Sequence, residues 1–390
     1  MELIFFQPPR IYQNLRIYHS IYYKILGVIN IITISLCMIV KNEEDVIGRC
    51  LDSVKDIVDE IIVVDTGSTD NTKETVKTFT DKIFDFQWID DFSAARNYSF
   101  SIAKMDYILW LDADDIILEK DRKNLIQLKE SLSNSVDVVM MKYNVGFDEN
   151  GNVTLSYFRE RLSKRINNNK WIEPVHEYLE ISGNIINSNI CITHKKEHVA
   201  IKGRNLTIYE NLISKGNELS IRGINYYARE LYYNGNYDKA IEYFNKFLDT
   251  EKGWIEDNIS ACFNLSKCYR YKNDTKNMLK SLLRSLEYDT PRAEICCEIG
   301  YYYFENKNYE KAIFWYKLAT ELKEPKDSWG FISHDYWGYT PNIQLCVCYD
   351  KLGNRDAAIE YNNKAAEYKP NDYSVIYNKE YFKNRNISIG

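Results

Sequence analysis

An apolar run, Tyr107 to Leu111, stops abruptly at three carboxylates: Asp112, Asp114 and Asp115. The run predicts a buried strand. Acids at its C-terminal end then lie where open α/β sheets receive ligands. Carboxylates set this close repel one another unless a cation is shared. A hard divalent ion such as Mg²⁺ or Mn²⁺, itself carrying a phosphate, resolves that repulsion. The plain alternative is a charged turn that caps the following helix.

Strand and helix patterns alternate around this element. Ile34 to Val40 predicts a first strand, with Val46, Ile47, Cys50, Leu51 and Val54 following at helical spacing. Ile61 to Val64 predicts a second strand that ends in Asp65. Thr66-Gly-Ser-Thr-Asp70 is then a turn, with Thr69 or Asp70 capping a helix over Thr72 to Phe79. Ile83 to Trp88 fits a third strand, Ser93 to Ala103 a helix, and Val136 to Met141 a fifth strand. Regular alternation predicts an α/β domain with a mostly parallel, helix-covered sheet. The first turn lacks G-x-G-x-x-G and any Walker lysine motif, so a nucleotide would be held by strand-end carboxylates instead. Asp65 fits that role, since an acid there can accept from a base N–H or a ribose hydroxyl. It can equally cap its own turn.

At 390 residues the chain has room for two domains. A net charge of -6 without a basic block excludes a nucleic-acid tract. Nine cysteines show no metal-type spacing and read as reduced core thiols of a cytoplasmic chain. The most apolar stretch, residues 25–40, is short for a membrane span and is interrupted by Asn30, Thr33 and Ser35. No transmembrane span is expected, although peripheral membrane contact stays open. Residues 1–30 read as an extension outside the core fold.

Several segments together resemble the family 2 glycosyltransferases, which have the GT-A nucleotide-sugar fold. They are Ser35-Leu-Cys-Met-Ile-Val-Lys-Asn-Glu-Glu44, Ile61-Ile-Val-Val-Asp-Thr-Gly-Ser-Thr-Asp-Asn-Thr72, Asp91-Phe-Ser-Ala-Ala-Arg-Asn97, Leu109-Trp-Leu-Asp-Ala-Asp-Asp115 and Trp171-Ile-Glu-Pro-Val-His-Glu177. The third and last narrow the likeness to a subgroup holding lipopolysaccharide-core glucosyltransferase-like enzymes and bacterial peptide S-glycosyltransferases.

That resemblance implies the following roles. Val40, Asn42 and Glu43 line the nucleobase pocket, Asp65 contacts uracil or ribose, and Asp70 shapes the same pocket. Asp91 and Arg96 belong to the donor site, with Arg96 either pairing with Asp91 or reaching the pyrophosphate, as a bidentate guanidinium suits both. Asp112 addresses the ribose or a metal-bound water, and Asp114 binds the ion that bridges the diphosphate. Asp115 is a ligand, an orienter or a helix cap. Glu177 is the base that deprotonates the acceptor, with Glu173 as its rival, and direct displacement inverts the anomeric centre. Trp171-Ile-Glu-Pro departs from the small or glycine residue that relatives often carry before V-H-E. Arg161 and Lys164 form a basic pair near the diphosphate or acceptor, with a solvated face as the alternative. His194 completes a metal set of Asp112, Asp114 and His194, and its imidazole favours Mn²⁺ slightly over Mg²⁺. UDP-glucose or UDP-GlcNAc is the expected donor.

From about residue 221 the texture becomes helical. Asn236-Tyr-Asp-Lys-Ala240-Ile-Glu-Tyr-Phe244 is echoed by Asn308-Tyr-Glu-Lys-Ala312-Ile-Phe-Trp-Tyr316 and by Asn354-Arg-Asp-Ala-Ala358-Ile-Glu-Tyr-Asn362. A degenerate unit around Met278 fits the gap, and an insertion carrying Ser328-Trp329-Gly330 lengthens the last interval. The pattern resembles tetratricopeptide repeats, an all-α solenoid whose concave groove suits a peptide. The expected division is an extension over 1–30, a GT-A domain over 31–215 and a repeat domain over 216–390. The expected function is a metal-dependent inverting glycosyltransferase acting on a protein or peptide, possible as a homodimer. A cell-envelope glycan acceptor, a non-catalytic scaffold and a nucleotidyltransferase are the competing readings, and the last lacks a basic, glycine-rich activation loop.

Overall fold

The computed structural model describes residues 31–195 and 202–387. The extension over 1–30 lies outside the described residues. Among the described residues, contacts divide the chain into two units, one of 31–144 with 158–195, the other of 145–157 with 202–387.

The first unit is built on strands β1 (Ile34–Val40), β2 (Glu60–Asp65), β3 (Ile83–Asp85), β4 (Tyr107–Trp110) and β5 (Asp115–Ile116). The strands β6 (Val138–Phe147), β7 (Val153–Lys164) and β10 (Ile185–His194) extend the same sheet, in the order β3-β2-β1-β4-β7-β6-β10-β5. β1 is parallel to β2 and β4, and β2 to β3. β7 then enters antiparallel to β4. The sheet is therefore mixed, with its parallel half holding the first four strands. β2 is buried at every position, the pattern of a parallel strand covered on both faces. Helices α1 (Ile47–Asp52), α2 (Thr72–Lys77), α3 (Phe92–Ile102) and α4 (Glu119–Ser131) supply that cover. A separate two-stranded ladder joins β8 (Lys170–Ile172) to β9 (Tyr178–Glu180).

The helical part of the second unit begins with α5 (Arg204–Ser214). Four helix pairs follow: α6 (Ile221–Tyr233) with α7 (Tyr237–Leu248), α8 (Ile255–Tyr271) with α9 (Thr275–Arg284), α10 (Ala293–Glu305) with α11 (Tyr309–Glu321), and α12 (Tyr339–Lys351) with α13 (Arg355–Tyr368). A last helix, α14 (Tyr373–Ile387), packs on α13. Each second helix starts the same way. Asn236, Asp274, Asn308 and Asn354 accept a backbone N–H three residues on, which satisfies a donor the helix itself leaves free. Four residues after each cap, Ala240, Met278, Ala312 and Ala358 are buried in the seam. Gly300 lets α10 approach α11, because a Cβ there would stand 2.8 Å from the Tyr316 ring.

The insertion between α11 and α12 turns back along the first helices of the pairs. Phe331 lies over the Arg229 guanidinium of α6 at 4.8 Å and against Tyr157 at 4.5 Å. Tyr336 packs edge-on to Phe263 of α8 and donates to Glu298 of α10 at 3.2 Å. Between them β11 (Ile332–Ser333) pairs antiparallel with Leu155 and Ser156, in the tip of the β6–β7 hairpin. The segment thereby packs on side chains of α6, α8 and α10, the first helices of three pairs.

Candidate active site

The strand β4 delivers the acidic turn as its sequence predicts, with Tyr107 to Trp110 buried throughout. Asp115 is fully buried, and both its oxygens accept hydrogen bonds. Oδ1 accepts from the Tyr143 hydroxyl at 2.8 Å, and Oδ2 accepts from Arg161 Nη1 at 3.0 Å and from the Asp112 N–H at 3.0 Å. Arg161 is also fully buried, 3.8 Å from the Trp110 ring and 4.3 Å from the Tyr143 ring. Asp115 and Arg161 thus form a neutral, internal pair that locks the turn.

Beyond that lock lie Asp114 and His194, about one quarter exposed at 25% and 23%. His194 Nδ1 is 3.3 Å from Asp114 Oδ1, 3.4 Å from Asp115 Oδ1 and 2.9 Å from the Tyr143 hydroxyl. Burial would lower the imidazole pKa, but hydrogen bonds and charge from Asp114 and Asp115 outweigh it and push it up to about 10. Ligand atoms of Asp114, Asp115 and His194 all lie within 4.8 Å of one another. Separations a little over 3 Å match the edge of an octahedron with metal–ligand distances of ~2.1 Å. Two carboxylates and an imidazole suit Mn²⁺ or Mg²⁺, so these residues fit such an ion. Asp112 lies outside this cluster. The sequence had put it on the metal and had left Asp115 undecided.

Asp112 instead meets Arg96. The guanidinium donates from Nη2 to Asp112 Oδ1 at 2.7 Å and from Nε to Glu177 Oε1 at 2.7 Å. It sits 4.9 Å from both the Trp110 and the Trp171 ring, and is itself buried. Burial opposes the charge on Asp112, but Arg96 and then Arg161 outweigh it and hold that carboxyl well below the usual range. The Asp91 alternative for Arg96 is not what forms. Asp91 caps α3, accepting from the Ala94 N–H at 2.9 Å and the Ser93 hydroxyl at 2.8 Å.

At the end of β2, Asp65 is buried. Its Oδ1 accepts from the Gly67 and Ser68 N–H groups at 2.9 and 2.8 Å. Its Oδ2 is buried without a hydrogen-bond partner. The first two turns are stitched together beside it. Asn42, at φ 56°, donates its N–H to the Ser68 hydroxyl at 2.9 Å and accepts from the Thr69 N–H at 2.7 Å. Asp70 accepts from the Glu44 N–H at 3.1 Å and the Thr72 N–H at 3.0 Å, and the Glu43 N–H donates to the Thr72 hydroxyl at 2.7 Å. Val40 closes β1 opposite Asp65, its carbonyl accepting from Thr66.

Residues 35–181 match glycosyl transferase family 2. Residues 259–290, 293–325 and 344–372 match tetratricopeptide repeats. The chain is 28% identical over 284 residues to the SPbeta prophage-derived glycosyltransferase SunS of Bacillus subtilis, covering 69% of this chain and 65% of that one. It is 53% identical over 87 residues to a tetratricopeptide-repeat-containing protein of Synechococcus elongatus, covering 22% of each. An uncharacterized glycosyltransferase of Rickettsia typhi is 32% identical over 111 residues, covering 28% of this chain and 34% of that one. The chain thus spans less than two thirds of the length of these curated relatives. It carries a family 2 glycosyltransferase domain joined to tetratricopeptide repeats.

Within that glycosyltransferase domain, Lys164 is far from the acidic turn. It pairs with Tyr107, at the start of β4, and donates to the Asn134 carbonyl. Asp112 stands five residues further on, roughly 15 Å along the strand direction. The basic pair therefore separates: Arg161 locks the acidic turn, while Lys164 lies at the other end of the sheet. Sequence reasoning missed Trp110 and Trp171 as the walls around Arg96, Tyr143 as a partner of His194, and Asn97. Asn97 grips the last motif, donating to the Trp171 carbonyl and accepting from its N–H, both at 2.9 Å. Adjacent Arg and Asn in Asp91-Phe-Ser-Ala-Ala-Arg-Asn97 were the available signal, because neither belongs in an amphipathic stripe without a partner.

Proposed function

We propose that this chain is a metal-dependent inverting glycosyltransferase of the cytoplasm. It moves a sugar from a nucleoside diphosphate donor, UDP-linked, to a protein or peptide. The observation that carries this reading is Arg96, which ties the donor-side carboxylate Asp112 to the acceptor-side carboxylate Glu177 within one hydrogen bond of each. The unpartnered Asp65 Oδ2 holds a base N–H or a ribose hydroxyl. Asp114, Asp115 and His194 would hold a divalent cation, which when bound would supply Lewis-acid stabilisation to the departing diphosphate. Arg96 fixes one oxygen of Glu177 and leaves the carboxylate turned by a rigid partner. Glu177 takes the proton from the acceptor hydroxyl or thiol as the acceptor bonds to the anomeric carbon and the bond to the diphosphate breaks on the opposite face. The resemblance to a subgroup with peptide-modifying members, and a repeat domain of a kind that binds peptides, support a protein or peptide acceptor.

The test uses the full chain with Mn²⁺, UDP- and GDP-linked sugars, and peptide or glycan acceptors. Nucleoside diphosphate release with a matching mass gain on a peptide supports the reading. Asp114→Ala should abolish both while circular dichroism stays unchanged. Glu177→Gln should cut turnover by about 10²–10⁴ with little change in donor affinity, and Glu173→Gln should not. Sugar transfer only to glycans overturns the acceptor assignment, and pyrophosphate release would indicate nucleotidyl transfer instead.

A further inference from the structure

The glycosyltransferase domain has a polar cavity at the end of the sheet away from the acidic turn. It holds about 130 Å³. Phe100, Ala103 and Ile108 contribute apolar surface, and Lys164, Arg165 and Lys170 bring three cations to its lining. Lys164 ends β7, Lys170 opens β8 and Arg165 lies in the turn between them, and none forms an ion pair among the described residues. Their donors go to neutral oxygens instead. Lys164 reaches the Asn134 carbonyl, Arg165 Nε the Met105 carbonyl at 2.7 Å, and Lys170 the Asn168 side chain at 2.8 Å. Asp137 feels Lys164 electrostatically, but its carboxylate already accepts from Asn167 and the Asn184 N–H. Asn169, also in the lining, has a buried Nδ2 with no hydrogen bond.

The lining holds three cations and no acid, Asp137 offsets only part of that charge from beside Lys164, and the excess calls for an anion. The same turn says which kind. Ile166 sits at its crest, 78% exposed, between Arg165 and the Asn167-Asn168-Asn169 run. A large aliphatic side chain held out among cations gains nothing in water, but it gains burial at a lipid–water boundary. Lysine and arginine stems beside it can lie along the same boundary with their heads at phosphate level. We propose that this turn is a membrane-surface site: the cavity takes the phosphate of an anionic phospholipid headgroup from Lys164, Arg165 and Lys170, and Ile166 enters the interface. The inference is independent of the sugar-transfer reading, because neither Ile166 nor any of the three cations bonds to the acidic turn or to Arg96.

Co-sedimentation of the full chain with vesicles tests it. Phosphatidylcholine vesicles are compared with vesicles containing about one third phosphatidylglycerol, at low and high salt. Binding should need the anionic lipid and fall as salt screens the cations. Arg165→Gln with Lys170→Gln should weaken it on the order of 30-fold, from two cations at the surface. Ile166→Ser, at an exposed site where misfolding is not a concern, should weaken vesicle binding and leave calorimetric titration with inorganic phosphate unchanged. Equal binding to both vesicle types, or full binding by the double variant with its circular dichroism intact, overturns the proposal. Phosphate binding without vesicle binding overturns the lipid assignment and makes a soluble phosphate ester the ligand.

Discussion

Replacing Arg96 with glutamine should expose how much the site depends on one guanidinium. In the wild type it makes two charge-assisted bonds of 2.7 Å, one to each carboxylate, between two indole rings. Removing one partner of a buried ion pair costs ~3–5 kcal/mol, mostly for the charges left behind. Asp112 keeps 32% of its side chain exposed and Glu177 keeps 13%, so water recovers part of that cost. The lower end, about 3 kcal/mol, is the expected loss at neutral pH. Urea unfolding followed by tryptophan fluorescence suits the measurement, because Trp110 and Trp171 flank the substituted side chain.

The pH dependence makes the prediction specific. Asp112 has its carboxyl depressed to about 2, with burial opposing and Arg96 leading the forces that lower it. A depressed carboxylate stabilises the fold above its unfolded value of ~3.9, and that contribution disappears as pH falls through about 2. The shift corresponds to about 2 kcal/mol, discounted to about 1–2 kcal/mol because the side chain is partly exposed. The gap between wild type and Arg96→Gln should therefore narrow by that amount between pH 5 and pH 2. Arg96→Lys keeps the charge, but a single ammonium cannot span both carboxylates as the planar fork does. It should retain the pH dependence while lowering turnover by about 10², the scale of a misplaced catalytic group. A gap that stays constant with pH, or an Arg96→Gln protein as stable as the wild type, would refute the reasoning.

Asp65→Asn keeps the oxygen that accepts from Gly67 and Ser68 and replaces only the unpartnered one. UDP titration should show affinity falling about tenfold, the scale of one hydrogen bond to a charged group, with the melting temperature little changed. In chelator-treated protein, His194 has its pKa raised to about 10, so its stabilisation is full below ~6.5 and is lost as pH rises through about 10. Melting curves of wild type and His194→Gln should thus differ most at pH 6 and converge above pH 10. Gly300→Ala places a methyl 2.8 Å from the Tyr316 ring. Overpacking of this kind costs ~1–3 kcal/mol, to be read from thermal melts by circular dichroism.

The parallel half of the sheet was legible because its strands are apolar runs ending in acids. β1 begins and ends where the alternation predicted, and the three alanines of the repeat echoes all reach the seam. The other half was less legible: of its strands only β6 had been anticipated, over Val136 to Met141. In β7, Glu160, Arg161, Leu162 and Ser163 are all buried, so charged residues occupy core positions that a polarity pattern assigns to solvent. Arg161 is tolerable inside only because Asp115, Trp110 and Tyr143 converge on it from other strands, and such long-range compensation leaves no local trace. The same holds for the repeat face. Spacing identified the insertion, but nothing in the spacing says that Phe331 and Tyr336 return to Arg229 and Glu298.

The order of motifs along the chain has a structural cause beyond each motif's own chemistry. Asp91-Phe-Ser-Ala-Ala-Arg-Asn97 and Trp171-Ile-Glu-Pro-Val-His-Glu177 are one assembly. The Phe92 N–H donates to the Pro174 carbonyl at 2.8 Å, Asn97 clasps Trp171 through both its donor and its acceptor, and Arg96 holds Glu177. The second segment is irregular, with Glu173 and His176 at φ 75° and 55°, a conformation that costs energy in non-glycine residues and persists only when neighbours over-determine it. The first turns of α3 supply that over-determination. Asp91, caught up in capping, earns its place by starting the helix in the register that points Arg96 and Asn97 at the later segment. An Asp91→Ala protein should accordingly lose more than the ~1 kcal/mol of a missing cap. Fraying of the α3 start would also loosen Glu177, so turnover should fall while UDP affinity, set mainly at the β2 turn, holds. Equal losses in both would place Asp91 at the donor after all.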